Sequence, residues 1–447
     1  MEFHTTAQRT VPTASVWPVP RGYAWTVFAL SFGLLLSDYM SRQVLNAVFP
    51  MLKADWLLSD AALGSLSGVV ALTVGVLTFP MSLMADRWGR VRSLLLAATL
   101  WSVATLGCAL SAGYGQMFVG RLFVGIGEAA YGSVGIAVVL SVFPVTLRAT
   151  LSGAFIAGGA FGSVLGVVIG GAVAQAAGWR WAFAVMGIFG LVLAAVYGVV
   201  VKESRLAPGE GPAAGEAEGG APEKLRVLLP RLFSSVSVVG AYIGSGLQLF
   251  IAGSLLAWLP SFFDRYYHME SAEAGGAAGA FALIIGLGMI LGGLVSDRVS
   301  TTASSRKWAV AIGCSLGSLL LLTAAFQLPT GPAQLVALGL GCLLSAGSAG
   351  PAAAMVANLT PAAVAATAFA TLTLANSLLG LAPGPAVTGA LADRLGLLGA
   401  LRVVPLVALA ATVAFLIGRR RYEGDLLRLA AVPAGTAEPR QPTEIAS

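Results

Sequence analysis

Charge is scarce in this chain of 447 residues. Charged residues make up 10% of the sequence and hydrophobic residues 57%, whereas about 25% of the residues of a typical soluble domain are charged. A water-soluble globular protein and a disordered chain are both excluded, because each needs more charge to stay hydrated. Cysteine is nearly absent, with three residues, which excludes a secreted scaffold held by disulfides. The composition predicts an integral membrane protein that crosses the bilayer many times.

Histidine and the common catalytic motifs are lacking as well. His4 and His268 lie outside the apolar runs, so no buried histidine relay is expected. The sequence has no Gly-x4-Gly-Lys-Ser/Thr loop, which argues against ATP as the energy source, and no His-Glu-x-x-His or Gly-x-Ser-x-Gly sequence. Cys108, Cys314 and Cys342 lie in apolar runs, where cysteine is usually a small buried hydrophobe. We expect no enzyme activity, no metal or other cofactor and no nucleic-acid partner.

Twelve apolar runs, here numbered spans 1 to 12, are long enough to cross a bilayer, which takes about 20 residues. The first six runs are 23–50, 61–84, 93–112, 116–142, 150–176 and 181–201. The other six runs are 234–262, 274–296, 308–327, 332–357, 364–390 and 401–418. Residues 202–230 are rich in Gly, Pro and Glu and predict a flexible cytoplasmic linker between an N-terminal unit, 1–201, and a C-terminal unit, 231–447.

The distribution of basic residues predicts the orientation, because lysine and arginine are retained on the cytoplasmic side. If both termini are cytoplasmic, 19 of the 26 basic residues lie in cytoplasmic segments and five on the opposite side. The remaining two, Arg42 and Arg121, lie within spans. We therefore expect a multi-pass protein of a bacterial-type inner membrane with both termini in the cytoplasm. The first 21 residues lack the pattern of a signal peptide, so we expect them to be retained.

The two halves of the sequence repeat each other. Ser82-Leu-Met-Ala-Asp86-Arg87-Trp-Gly89-Arg90 follows span 2, and Gly293-Leu-Val-Ser-Asp297-Arg298 follows span 8, with the two aspartates 211 positions apart. Span 5 ends in Gly171-Ala-Val-Ala-Gln-Ala-Ala-Gly178, and span 11 ends in Gly389-Ala-Leu-Ala-Asp-Arg-Leu-Gly396, 218 positions later. Two six-helix repeats joined by a linker are typical of a transporter whose site lies between the halves near mid-membrane.

The segment from Ser82 to Arg92 resembles the loop signature of the major facilitator superfamily, Gly-x-Leu-Ala-Asp-Arg-x-Gly-Arg, with its Asp, Arg, Gly and Arg intact. The resemblance implies an all-α integral membrane fold of 12 transmembrane helices in two pseudo-symmetric six-helix bundles. It also implies that Asp86 contacts the N-terminus of span 11 and holds the outward-facing state. A turn that only sets topology is the alternative for the arginines. The predicted gating residues are Asp86, Arg87, Gly89, Arg90, Asp297 and Arg298.

Three segments resemble the spinster-like branch of this superfamily, whose members are associated with lysolipids and related amphiphiles. The segments are Tyr39-Met-Ser-Arg42-Gln-Val-Leu45, Gly120-Arg121-Leu-Phe-Val-Gly125-Ile-Gly127-Glu128-Ala-Ala-Tyr131 and Gly253-Ser-Leu-Leu-Ala-Trp258-Leu-Pro260. The branch usually has Asp directly before the arginine of span 1, whereas this chain has Ser41 there. Asp38 lies three residues earlier on nearly the same helical face, and it is the candidate to replace that carboxylate.

Four charged residues lie clearly inside the predicted spans, namely Asp38, Arg42, Arg121 and Glu128. Ionisable groups are costly there and by default mark a pathway. We expect Asp38 to lie level with Arg121 and Glu128 to lie about 10 Å deeper. We predict that Glu128 is the main proton carrier, that Arg121 is its partner and the contact for an anionic substrate, and that Asp38 is a second acid. A static ion-pair network that fixes helix packing is the alternative.

Further polar and aromatic residues complete the predicted substrate site. Arg42 either contacts the substrate or extends to the outer leaflet. The second half has no charge at mid-depth, and its candidates face either the cavity or, as ordinary packing and interfacial aromatic residues, neighbouring helices and lipid. The predicted substrate-binding residues are Arg121, Arg42, Ser41, Tyr131, Tyr242, Gln248, Phe250, Trp258 and Asn376.

These features together predict a monomeric secondary transporter that exchanges protons and moves an amphipathic organic or lipid-like substrate across the bilayer. Its two bundles would rock around a central site. A multidrug-type proton antiporter or an organic-anion symporter of the same superfamily is the alternative. A sensor that uses this fold without transport also stays open. The sequence identifies neither the substrate nor the direction of transport.

Overall fold

The computed structural model describes residues 17–206, 235–301, 303, 305–360 and 365–430, and these residues form helices and short connections. The helices of the first half are Arg21–Ala47, Phe49–Trp56, Asp60–Trp88, Arg90–Ala109, Tyr114–Val142, Val145–Ala177 and Trp179–Val200. Those of the second half are Val236–Tyr267, Ser271–Val299, Arg306–Ala325, Pro332–Ala346, Ala349–Asn358, Ala365–Asn376, Pro383–Val403 and Val407–Ala430. The predicted linker 202–230 lies mostly outside the described residues.

The twelve predicted spans are confirmed. Ten stretches of helix are long and apolar enough to cross a membrane among the described residues. Span 1, which carries two charged residues, is more polar than these ten stretches. One of the ten, Thr367–Arg428, contains both span 11 and span 12. Gly396 separates these two spans, because its φ of 72° breaks the helix in a region that favours glycine. Span 10 consists of two helices, and a π-helical turn, Ser377–Leu381, interrupts span 11.

The even number of spans brings both ends of the described chain to one side of the molecule, here called the near side. Several contacts join span ends there. The Lys202 amide, after span 6, donates to the Tyr23 hydroxyl at the start of span 1 at 3.0 Å. The Ser237 amide, at the start of span 7, donates to Asp425 at the end of span 12 at 3.1 Å. The opposite side, here called the far side, holds the end of span 1 and the start of span 2.

Buried apolar residues divide into three clusters that differ in which half supplies them. The far-side cluster contains residues of both halves, such as Phe49 and Leu63 with Trp258 and Phe263. A second cluster, around Trp101, comes from the first half alone. The third, around residues such as Trp308 and Phe415, comes from the second half alone. In the described part of the chain, the halves therefore share one core on the far side and keep separate cores toward the near side.

Candidate functional site

Arg42 of span 1 forms an ion pair with Glu128 of span 4 inside the first bundle. Arg42 Nε donates to Glu128 Oε2 at 3.0 Å, and Arg42 Nη2 lies 2.8 Å from the same oxygen. The Glu128 side chain is 3% exposed and the Arg42 side chain is 21% exposed. A buried carboxylate is thus held by an arginine that still has one side open.

Asp38 lies next to this pair, one helical turn before Arg42 on the same face of span 1. Its buried carboxyl group is adjacent to the Glu128 carboxyl group. Asp38 Oδ1 and Glu128 Oε1 are both buried, and neither has a donor among the described residues. Two carboxylates offer only acceptors, whereas one proton between them supplies the missing donor. The arrangement is suited to holding a single proton.

Arg121 of span 4 lies farther toward the far side and has different partners. Its guanidinium group donates to backbone carbonyl oxygens of Ser41 at 2.9 Å, Arg42 at 3.1 Å and Leu66 at 3.4 Å. The residue is 0% exposed. Arg121 therefore joins span 4 to the backbones of spans 1 and 2, and it fixes the segment of span 1 from which the Arg42 side chain projects.

The predicted pairing of Glu128 with Arg121 is corrected by this geometry, because Arg42 takes that place. The predicted depths are wrong as well. Asp38 and Glu128 each lie 12 residues from the outer ends of their runs, residues 50 and 116, so a rise of about 1.5 Å per residue places them level. The backbone carbonyls of Ser41 and Arg42 accept from Arg121, so this part of span 1 lies level with Arg121. The suggestion that Arg42 extends to the outer leaflet is corrected as well.

Tyr39 is a site residue that sequence reasoning missed. The Arg42 guanidinium carbon lies 5.8 Å from the centre of the Tyr39 ring, a cation–π distance. The Tyr39 side chain packs against span 5, where a Cβ atom at Gly159 would collide with its ring and a Cβ atom at Gly162 would collide with its Cβ atom. The position of Tyr39 in the sequence, directly after Asp38 and three residues before Arg42, could have indicated that it belongs to the site.

Ser41 and Tyr131, two predicted substrate contacts, are 0% exposed. The Ser41 carbonyl accepts from Arg121, and its hydroxyl has no partner among the described residues. The Tyr131 hydroxyl donates to the Ser31 carbonyl, and its ring packs edge-on against Trp101 with centres 5.3 Å apart. Both residues are held within the first bundle in this conformation, and their role as substrate contacts stays a prediction.

The predicted residues of the second half are dispersed rather than gathered at one site. Gln248 Nε2 donates to Ser315 Oγ at 2.5 Å, inside the second bundle. The Tyr242 hydroxyl donates to the Ala368 carbonyl at 3.3 Å. Phe250 and Trp258 belong to the shared far-side core. Asn376 alone is half-buried with a side-chain oxygen, Oδ1, that lacks a partner in the described structure. Asn376 is therefore the strongest cavity candidate of the five.

The predicted near-side gating residues also differ in their contacts. The side chain of Asp86 lies outside what the structure describes, so its contact with span 11 stays a prediction. Gly89, with a φ of 89°, separates spans 2 and 3. The backbone amides of Arg90 and Val91 donate to Glu203 at 3.0 and 2.7 Å, so the end of span 6 caps the start of span 3. The side chains of Arg87, Asp297 and Arg298 are exposed.

Comparisons with known proteins agree with this architecture. The sequence profile of the Major Facilitator Superfamily matches residues 31–385. An MFS-type efflux pump of Mycolicibacterium smegmatis is 28% identical over 418 residues, which are 90% of this chain and 94% of that protein. Protein spinster of Drosophila melanogaster is 26% identical over 294 residues, 64% of this chain and 47% of that protein.

The chain spans only about a third of the length of another relative. The uncharacterized MFS-type transporter EfpA of Mycobacterium tuberculosis is 30% identical over 190 residues, 42% of this chain and 36% of that protein. Among solved structures, a bacterial homologue of the human lysosomal transporter Spinster, crystallised inward-facing and unoccupied, superposes with a TM-score of 0.79 at 19% identity. The superposition covers 91% of this chain and 99% of that chain, so the two share a fold.

Proposed function

The chain belongs to the Major Facilitator Superfamily, and from this premise we propose that it is a proton-coupled transporter of an amphipathic organic anion. Membership makes it a membrane transporter of small molecules rather than an enzyme. Proton coupling, the class of substrate and the orientation are the parts that we propose.

One observation supports proton coupling above all, namely the adjacent carboxyl groups of Asp38 and Glu128 with two buried oxygens that have no donor. Like charges this close in a site of low dielectric favour the uptake of one proton. Arg42 holds Glu128 when the carboxylate is ionised. Protonation weakens that pair and releases the guanidinium group to bind another anion. A proton and an anionic substrate are thereby linked through one arginine.

The partly exposed Arg42 side chain also supports an anionic substrate. It lies beside the Tyr39 ring, so a substrate with a charged head and an apolar body would meet a cation and an aromatic face together. An arginine offers two parallel donors to a carboxylate or phosphate group, which is why we place a phosphate-bearing lysolipid first among the candidates.

We further propose that the near side faces the cytoplasm of a bacterial-type cell, because basic residues concentrate there. The two bundles would then alternate between a near-side and a far-side opening around the Asp38–Glu128 site. Each protomer contains one complete set of these groups, which is consistent with transport by a monomer.

Proteoliposomes that contain the purified protein and an entrapped pH-sensitive dye test the proposal. Lysophosphatidylglycerol should move protons when it is added, and an imposed pH gradient should drive its accumulation. Proton movement with a cationic dye such as ethidium instead would support a multidrug-type antiporter, in line with the efflux-pump relative. Glucuronate would report an organic-anion symporter. Accumulation without any proton movement would overturn proton coupling.

A further inference from the structure

Asp393, at the end of span 11, reaches across to the opposite half of the molecule. Its carboxylate accepts from the Asp60 amide at 2.7 Å and from the Ala61 amide at 3.0 Å, at the first turn of span 2. The first amides of a helix have no partner within the helix and carry partial positive charge. A carboxylate from the second half thus caps the N-terminus of a helix of the first half.

Gln175, at the end of span 5, makes the corresponding contact in the opposite direction. Its Oε1 accepts from the Ala272 amide at 2.9 Å, at the first turn of span 8, and its Nε2 donates to Glu270. Gln175 and Asp393 are 218 positions apart, which is the offset of the repeated ends of spans 5 and 11. Ala61 and Ala272 are 211 positions apart, which is the offset of the repeat around spans 2 and 8.

Glycines repeat with the same correspondence. A Cβ atom at Gly389 would collide with the Asp60 carbonyl oxygen, and one at Gly171 would collide with the Ser271 carbonyl oxygen. Both segments end in a glycine with positive φ, 90° at Gly178 and 72° at Gly396. Each glycine therefore lets one helix end approach the opposite half closely enough for the capping bonds to form.

We propose that Gly171–Gly178 and Gly389–Gly396 are two copies of one far-side latch. Each copy caps the first helical turn of the opposite half and holds the far side closed. Neither segment contributes to the Asp38–Glu128 site, so the latch is separate from proton coupling. Gly389–Gly396 also follows the first eight positions of the loop signature, Gly-x-Leu-Ala-Asp-Arg-x-Gly, so that pattern places an aspartate at the end of a span on both sides of the molecule.

The two copies differ in charge. The copy at Asp393 lies beside an ion cluster around the buried Asp60. Arg265, at the end of span 7, donates to both oxygens of Asp60 at 2.7 and 2.9 Å. Lys53 lies 2.6 Å from the same carboxylate, but it belongs to the first half with Asp60. Opening the far side separates Arg265 from Asp60 and Asp393 from the amides, whereas Lys53 stays in place. The copy at Gln175 has an uncharged capping group, so the charged copy contributes more to closure.

Distances between spin labels measure this latch without any substrate or pH gradient. The labels are attached through Leu110→Cys in the first half and Thr330→Cys in the second, because both positions are exposed on the far side. The three native cysteines are buried and therefore poorly accessible to the label. In lipid nanodiscs the parent should give a short distance. Asp393→Ala should raise the ratio of open to closed far side about tenfold, Gln175→Ala should raise it less, and the double variant should raise it most.

Asp55→Asn is the matched control. Asp55 is a far-side acid that accepts from the Trp179 indole at 2.7 Å within the first half. Among the described residues it makes no hydrogen bond or ion pair with the second half, so its replacement leaves those contacts between the halves intact. Asp393→Asn keeps an acceptor and should shift the ratio less than Asp393→Ala. Unchanged distances in both Asp393→Ala and Gln175→Ala, with elution and melting like those of the parent, would overturn the latch. An equal shift in the Asp55→Asn control would overturn it too.

Discussion

Arg42 approaches a single oxygen of Glu128, Oε2, with both Nε and Nη2. The other carboxylate oxygen, Oε1, is left buried without a donor in the described structure. Because the free oxygen lies on a carboxyl group adjacent to Asp38, the proposed proton site and the ion pair involve different oxygens of one carboxyl group. Protonation of Glu128 would then weaken its ion pair with Arg42.

Replacing Glu128 with glutamine should separate exchange from accumulation. The amide has the shape of the protonated acid but cannot release a proton, so a pH gradient should no longer drive uptake. We expect accumulation in proteoliposomes to fall at least tenfold, as for loss of an acid–base group, while exchange of labelled for unlabelled substrate persists. Accumulation like that of the parent would show that another group carries the proton.

Replacing Arg42 with glutamine should weaken binding of an anionic substrate. Loss of a charge-assisted hydrogen bond costs about 1.5–3 kcal/mol, so the KM for transport should rise by about tenfold or more. Arg42→Lys should raise the KM less than Arg42→Gln does, because lysine keeps the positive charge although it lacks the two parallel donors of arginine. Arg180→Gln is the control, since Arg180 is an exposed far-side residue of the same half. Equal KM values for Arg42→Gln and the parent would count against a role in binding.

Arg121→Gln should destabilise the first bundle. The arginine is fully buried and donates to three carbonyl groups of spans 1 and 2, and a glutamine lacks the length and donors to replace them. We expect a loss of about 2 kcal/mol in the free energy of unfolding, visible as a lower melting temperature in detergent. If Arg121→Gln instead has the melting temperature of the parent and a higher KM for substrate, Arg121 is a cavity residue rather than a structural one.

Gly389→Ala should open the far side even though every capping group is retained. The added methyl group collides with the Asp60 backbone carbonyl, and a backbone cannot move aside as a flexible side chain can. The distance between labels at positions 110 and 330 should lengthen. Gly276→Ala serves as the control, because a Cβ atom there meets nothing within 4 Å. A short distance in both variants would mean that the interface yields without opening.

Much of the architecture follows from local sequence, because a span needs only a run of apolar residues and a charge inside such a run is conspicuous. Asp38, Arg42, Arg121 and Glu128 could each be recognised in this way as buried polar groups. Their pairing could not, because it depends on how far span 1 is shifted along span 4. Arg121 and Glu128 are seven residues apart on span 4, about 10 Å, so the partner of Glu128 is the residue of span 1 that lies at its level.

Contacts between the halves were hidden for a different reason. Asp60 and Asp393 are 333 positions apart, and nothing near either residue signals the other. The sequence predicts that Gln248 of span 7 faces the cavity, whereas its side chain donates to Ser315 of span 9 within the second bundle. The repeat of Gly389–Gly396 with Gly171–Gly178 was visible in the sequence. Its function depends on the helix ends that these segments cap, which only the folded chain brings near.

The four charges inside the first bundle also bear on membrane voltage. With both carboxylates ionised, Asp38, Glu128, Arg42 and Arg121 sum to zero, and one proton raises the sum to +1. A bound monoanion returns it to zero. Moving one charge through the field is worth about 2.3 kcal/mol per 100 mV. Reorientation with proton and monoanion together should therefore be indifferent to a potassium diffusion potential, whereas reorientation with the proton alone should respond to it.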